Sequence, residues 1–97
     1  MNFEIAPKST EVQATWDDAR LYCFSLTVDG KTGWRLPTPD ELNEIYESEH
    51  ELVGSSYWSS AEVADSFACY QSMYNGGRGN ARKIYSGFYV RAIRPTV

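Results

Sequence analysis

Apolar positions in this chain fall first at helical and then at strand spacing. Trp16, Ala19, Cys23 and Leu26 recur three to four residues apart, so they form one stripe of a first helix that ends near Leu26. Thr15 precedes that stripe and Asp17 and Asp18 follow it, which is the pattern of a capped start with acids in the first turn. A second helix is predicted from Pro39 to about Ser48, pointing Leu42, Ile45 and Tyr46 inward and Asp40, Glu41, Glu44 and Glu47 to water. Its start is specified three times over. Thr38 can cap it, Pro39 suits the first helical position, and Glu41 can close a capping box. Just upstream, Gly33-Trp34-Arg35-Leu36-Pro37 forms a tight corner, and Pro37 holds Leu36 extended, so a short strand or bridge should end there.

The remaining stretches read as strands and turns. Asn2 to Ala6 alternates weakly and stops at Pro7, a short edge strand; Lys8 to Gln13 is unpatterned and is expected to be loop; Val28 to Lys31 is a turn. After a charged Glu49-His50-Glu51 and a Gly54-Ser55-Ser56 loop, Tyr57 to Ser60 is expected to be a strand with one large ring inside. Ser66 to Tyr74 reads as a strand with Phe67, Cys69, Gln71 and Met73 on one face and Ala68, Tyr70, Ser72 and Tyr74 on the other. Asn75 to Asn80 is a turn cluster, and Phe88 to Arg94 is the closing strand, stopped by Pro95. The order predicts one α+β domain over residues 1–97, with two helices on one side of a small antiparallel sheet.

Charge adds an asymmetry. Residues 1–65 hold all 13 acids and four bases, net −9, whereas residues 66–97 hold five bases and no acid, net +5. The simplest expectation is that the two parts neutralise each other across the fold; the alternatives are a basic face aimed at a partner, or head-to-tail association through the acidic second-helix face. A pI near 4.8 makes duplex nucleic acid an unlikely partner, since that needs a broad basic footprint. With no apolar run of membrane-spanning length and no leader before the fold, the chain is expected to be soluble and cytoplasmic, in a bacterial or phage-infected cell. Cys23 and Cys69 have no metal-like spacing and are expected to be buried free thiols, with long-range pairing as the alternative.

Catalytic and metal chemistry find no support in these residues. His50, the single histidine, lies between two glutamates, no nucleophile and base fall in a recognisable arrangement, and Gly76-Gly77-Arg78-Gly79 lacks the Lys-Ser/Thr tail of a phosphate loop. No catalytic residue, metal ligand or cofactor is therefore assigned, and the protein is read as not an enzyme. Seven tyrosines are more than a small core can satisfy, so some are expected on the surface. Tyr70, Tyr74, Asn75, Arg78, Asn80, Arg82, Lys83 and Tyr85 are the candidate partner-binding residues, because Tyr and Arg supply contact area and forked hydrogen bonding. The alternative for Tyr70 and Tyr74 is packing against the other layer of the fold. Trp16, Trp34 and Trp58 are expected in the core, with Arg35 and Arg91 in structural ion pairs or backbone bonds.

Four short motifs then occur in order: Thr15-Trp16-Asp17-Asp18-Ala19 with Tyr22-Cys23, Trp34-Arg35-Leu36-Pro37-Thr38 with Glu41-Leu42, Tyr57-Trp58-Ser59-Ser60, and Val90-Arg91-Ala92-Ile93-Arg94. Together, over about residues 14–95, they resemble a domain-of-unknown-function family of bacteria and phages typified by the C-terminal domain of a collagen-like adhesin. The resemblance implies a C-type lectin-like fold, termini that pair as neighbouring strands, and recognition carried on the loop-rich C-terminal half. Where that family often has a cysteine able to bridge to the helix cysteine, this chain has Ala92. The calcium motifs of lectins are missing, so any binding is expected to be calcium-independent. Arg35-Leu36-Pro37-Thr38 is also similar to a segment of the formylglycine-generating enzymes, but those are much longer and bind copper through two cysteines. The function expected is a recognition module for a macromolecule, foremost a protein inside a bacterial cell, as a phage- or mobile-element-encoded modulator would be. The alternative is a glycan- or cell-surface-binding tip of a tail fibre or adhesin, located on a virion or cell surface, with an anionic glycan as partner.

Overall fold

The computed structural model describes residues 2–48, 52 and 54–96. In chain order the elements are β1 (Phe3–Ile5), a single 3-10 turn (Lys8–Thr10), β2 (Val12–Gln13), α1 (Trp16–Ser25), α2 (Pro39–Glu47), β3 (Ser56–Ala64), β4 (Phe67–Ser72), β5 (Arg78–Arg82), β6 (Tyr89–Val90) and β7 (Ile93–Pro95). Five strands form one sheet in the order β2-β6-β3-β4-β5, and β1 pairs antiparallel with β7 in a separate two-stranded sheet. The two ends of the chain thus lie side by side, with Phe3 opposite Pro95 and Ile5 opposite Ile93. The fold is α+β, as the element order predicts, but the large sheet is mixed rather than antiparallel, since β6 meets β3 in parallel at Tyr89 and Tyr57. The helices cover opposite faces of it, α1 the Trp58 side and α2 the Gln71 side, rather than one side as expected.

Both helices start where their caps dictate. Thr15 Oγ1 accepts from the Asp18 N–H at 3.4 Å, and α1 buries Trp16, Ala19 and Cys23. Thr38 Oγ1 accepts from the Glu41 N–H at 3.1 Å while Glu41 Oε1 accepts from the Thr38 N–H at 2.8 Å, completing the capping box with Pro39 in the first turn. The same carboxylate takes a two-pronged bond from Arg35, Nη1 to Oε1 at 2.7 Å and Nη2 to Oε2 at 2.9 Å. Glu41 is therefore a half-buried joint rather than the solvated residue expected from its position on the helix. Arg35 in turn exchanges both backbone hydrogen bonds with Ile93, each 2.9 Å. The corner between the helices is in this way fastened to α2 through a side chain and to the C-terminal strand through the backbone.

That joint carries a pH dependence. The Arg35 hydrogen bonds hold the Glu41 carboxyl below its ordinary value of 4.5. A carboxyl depressed in the folded state stabilises above the unfolded pKa and loses that contribution as pH falls through the folded one. Stability of the wild type should therefore decline below about pH 4.5, and Glu41→Gln should flatten that part of the curve while lowering stability at pH 7. Urea unfolding at pH 3, 4, 5 and 7 checks this; parallel wild-type and variant curves would remove Glu41 as a contributor.

The main core lies between α1 and the large sheet and contains Trp16, Ala19, Cys23, Trp34, Leu36, Trp58, Ala68, Val90 and Ala92. A smaller cluster of Phe3, Ile45 and Ile93 joins α2 to the paired termini. The three tryptophans are all buried, and each ring N–H is bonded to a backbone carbonyl: Trp16 to Ser59, Trp34 to Lys31 and Trp58 to Ala14.

Several strand expectations need correction. Lys8 to Gln13 is not plain loop, because Val12 and Gln13 pair with Val90 and Tyr89 to make one of the two edge strands of the sheet, β5 being the other. β3 is longer than Tyr57 to Ser60, and it buries both Tyr57 and Trp58 because the core and the α2 side each cover one of its faces. Gln71 shows the same double coverage in β4: it is 2% exposed, and its Nε2 donates to Asn43 Oδ1 at 3.0 Å. The Asn75 to Asn80 turn is shorter than expected, since Arg78 already begins β5. The closing strand is broken into β6 and β7, which belong to different sheets, and Arg91 sits at the break. Tyr46 is only half-buried; its ring lies against Gly76, whose positive φ of 78° and near contact (2.6 Å from an added Cβ) both exclude a side chain. The Glu49-His50-Glu51 stretch lies outside the described residues.

Candidate functional site

Five residues of the basic C-terminal third divide into two groups. Arg94 Nη1 bonds Glu4 Oε1 at 3.0 Å, Arg91 Nη2 lies 3.1 Å from Glu11 Oε1, and the Lys83 ammonium bonds Glu62. These three cations neutralise acids of the first part of the chain, as the simplest reading of the charge asymmetry expects. Arg78 and Arg82 differ. Among the described residues neither has a carboxylate within ion-pair distance; the Arg82 guanidinium lies 6.0 Å from the centre of the Phe67 ring.

The eight candidate residues are accordingly not one patch. Arg78, Asn80 and Arg82 alternate along β5, all exposed and all on one side of the strand, with Gly79 and Ala81 turned the other way. Tyr74 and Asn75 stand at one end of β5, in the turn from β4. Tyr74 is 90% exposed, whereas the Asn75 side chain is used inside the turn, its Oδ1 accepting from the Gly77 N–H at 2.8 Å. Tyr85 stands at the other end of β5, half-exposed, with its ring edge-on to Phe88 at 4.7 Å. Tyr70 follows the packing alternative: its ring lies 4.3 Å from Phe88 and covers Gly79, where an added Cβ would come within 2.9 Å of the Tyr70 hydroxyl. Lys83 is 9% exposed and its ammonium sits 4.7 Å from the centre of the Trp16 ring, so it props α1 rather than lining the exposed surface.

Two apolar features escape sequence reading. Ile84 is 77% exposed and, with Ala81, Arg82, Tyr85 and Phe88, borders a hollow of about 510 Å³ at the end of β5. On a different part of the surface, Leu21 and Phe24 project from the outer side of α1, 66% and 84% exposed, beside a groove of about 680 Å³ floored by Trp34 and Leu36. The signal for the second was available, since Leu21 and Phe24 are three apart on a helix and lie off its buried stripe.

The rest of the chemistry is structural. Glu11 and Arg91 are 9% and 6% exposed; Tyr57 donates to Glu11 Oε1 at 2.6 Å, accepts from the Gly54 N–H at 2.7 Å, and Arg91 Nη1 donates to the Ala6 carbonyl at 3.2 Å. Burial, followed by the Glu11 hydrogen bond, raises the Tyr57 hydroxyl well above the ordinary tyrosine value. Cys23 is fully buried and its thiol is pushed up to about 12 by burial, while Cys69 is half-buried; both are free. Ala92, where the resemblance implies a bridging cysteine, lies in the same buried cluster as Cys23. A thiol reagent at pH 8 should therefore label Cys69 in the native protein and Cys23 only after unfolding, because the thiolate is the reactive form. Mass spectrometry of tryptic peptides after timed labelling reads this, and early modification of Cys23 would contradict the packing. Among the described residues no group of three or more His, Cys, Asp or Glu side chains comes together to hold a metal. No described helix is long and apolar enough to cross a membrane.

The structure is a small α+β domain with an arginine-bearing edge strand and exposed aromatic residues in the turns at both ends of that strand. The chain belongs to the Lcl C-terminal domain family, whose profile matches residues 4–94. This is the family of the C-terminal domain of a collagen-like adhesin, and membership supports a binding role. A search of curated proteins gives no match.

Proposed function

We propose that this protein is a non-enzymatic, calcium-independent recognition module whose contact surface is β5 with the turns at its two ends, and whose partner is a protein inside a bacterial cell. The observation that carries the reading is the state of Arg78 and Arg82: they are exposed and lack carboxylate partners among the described residues, while Lys83, Arg91 and Arg94 are engaged. Tyr74, Ile84 and Tyr85 place exposed apolar and aromatic area on either side of that basic strand, the combination that dominates binding energy at interfaces. The antiparallel pairing of the first strand with the last supports a C-type lectin-like reading of the fold. Two free thiols suit a reducing compartment, and a phage- or mobile-element-encoded modulator of a host protein is the role we favour.

The second reading, a glycan-binding tip on a virion or cell surface, is supported by the adhesin relationship and by the same two arginines. Affinity capture from bacterial lysate, run alongside binding to a heparin column, separates the two. A stoichiometric protein partner retained at physiological salt and weakened as salt rises is the expected result. Retention by heparin with no protein partner would replace the first reading by the second.

A further inference from the structure

β5 ends its sheet, with β4 on one side and no strand on the other among the described residues. Two hydrogen bonds fix which way each of its residues faces: Ser72 N–H to the Gly77 carbonyl and Lys83 N–H to the Ser66 carbonyl, both 2.8 Å. In an antiparallel ladder, successive residues bond alternately toward the neighbour and away from it. With Tyr70 opposite Gly79 and Ala68 opposite Ala81, the backbone of residues 79 and 81 is turned to β4. The N–H and C=O groups of Arg78, Asn80 and Arg82 are therefore turned outward. Of these, the Arg82 carbonyl is taken by the Tyr85 N–H at 3.0 Å. The outward-bonding residues are also the ones with exposed, polar side chains, so backbone donors and guanidinium groups are presented along one line.

Resting on the protein-recognition reading above, we propose that this edge binds an extended acidic segment of the partner, added antiparallel or parallel to β5 as a sixth strand of the sheet. Strand addition takes its affinity from main-chain hydrogen bonds and its specificity from alternate side chains. Charge selects the occupant. A second copy of this chain pairing antiparallel about Asn80 would set Arg78 opposite Arg82 twice over, and like charges directly opposite each other are destabilising. A segment with carboxylates four residues apart places one acid beside each arginine instead, about 13 Å apart along the strand. Ala81, whose side chain points to the face opposite the arginine side chains, lines the hollow together with Arg82, Ile84, Tyr85 and Phe88. The segment should therefore carry an apolar residue at an odd offset from its acidic pair, where its side chain reaches that hollow.

The test is an NMR titration of the isotope-labelled protein with a blocked synthetic peptide that has two glutamates four apart, separated and flanked by valines. Saturable shifts centred on the Arg78, Asn80 and Arg82 amides are expected. Asn80→Pro removes an outward N–H without touching the β4 ladder and should weaken binding by about tenfold or more, with the thermal transition retained. The double reversal Arg78→Glu with Arg82→Glu should weaken it similarly and transfer preference to the lysine version of the peptide. Shifts spread elsewhere, or binding indifferent to both changes, would overturn strand addition. The broader reading fails separately: if the Asn80→Pro protein still captures a protein partner from lysate, recognition stands and the edge mechanism falls, whereas retention by heparin alone removes both.

Discussion

Replacing Arg91 by alanine is expected to destabilise the protein by about 3–5 kcal/mol, because it strands a buried carboxylate rather than deleting a surface charge. Arg91 and Glu11 are both more than nine-tenths buried and meet at the break between β6 and β7, where the 3-10 turn and β2 approach from the N-terminal side. Without the guanidinium, Glu11 keeps one strong donor, the Tyr57 hydroxyl at 2.6 Å, and the Ala6 carbonyl loses the Nη1 bond. The ion-pair geometry also decides what should not happen. Replacing both partners together, Arg91→Met with Glu11→Leu, removes the unpaired charge and should recover most of the loss, since a buried pair contributes little net stability over apolar residues of similar size. Urea unfolding of the single and double variants measures this. A single-variant loss under about 1 kcal/mol would show that Glu11 is solvated in the native state.

Trp58→Ala is expected to cost about 3–5 kcal/mol, the range for emptying a fully buried aromatic site. Trp58 has no exposed surface, donates from its ring nitrogen to the Ala14 carbonyl at 2.9 Å, and meets Phe88 edge-on at 4.8 Å. Phe88 in turn supports both Tyr70 and Tyr85. The cavity would thus lie directly beneath one end of the proposed contact surface, and partner binding should weaken under conditions where the variant is still folded. Trp58→Phe keeps most of the ring volume and loses the hydrogen bond, so it should cost clearly less and leave binding intact. Thermal unfolding paired with binding measurements reads both effects; equal losses for the two variants would mean that the hydrogen bond, and not packing, dominates the site.

The parts of this fold that could be read from sequence are those whose determinants are local. Thr15, Thr38, Pro39 and Glu41 specify both helix starts within four residues, and the tryptophans announce the core by size. The parts that escaped are those fixed by distant partners. Val12 and Gln13 have no strand pattern of their own and become β2 only by pairing with residues 90 and 89. Arg78 to Arg82 contains Gly, Asn and two arginines, a poor intrinsic strand, and is extended because β4 supplies the ladder. Arg91 splits the closing strand because its side chain turns inward to Glu11. The candidate site shows the same division. Arg78, Asn80 and Arg82 were identified by residue type, but their shared face and outward backbone needed the register, and the burial of Lys83 over Trp16 is opposite to what lysine ordinarily does.

The measurement that bears most directly on the proposed contact surface is partner capture by three baits: wild type, Arg78→Glu with Arg82→Glu, and Leu21→Ser with Phe24→Ser, which alters the separate apolar face of α1. Recognition through β5 predicts that the arginine reversal loses the captured protein while the α1 variant retains it at the wild-type level. Capture preserved by the arginine reversal and lost by the α1 variant would contradict it and move the site to the groove beside Trp34 and Leu36.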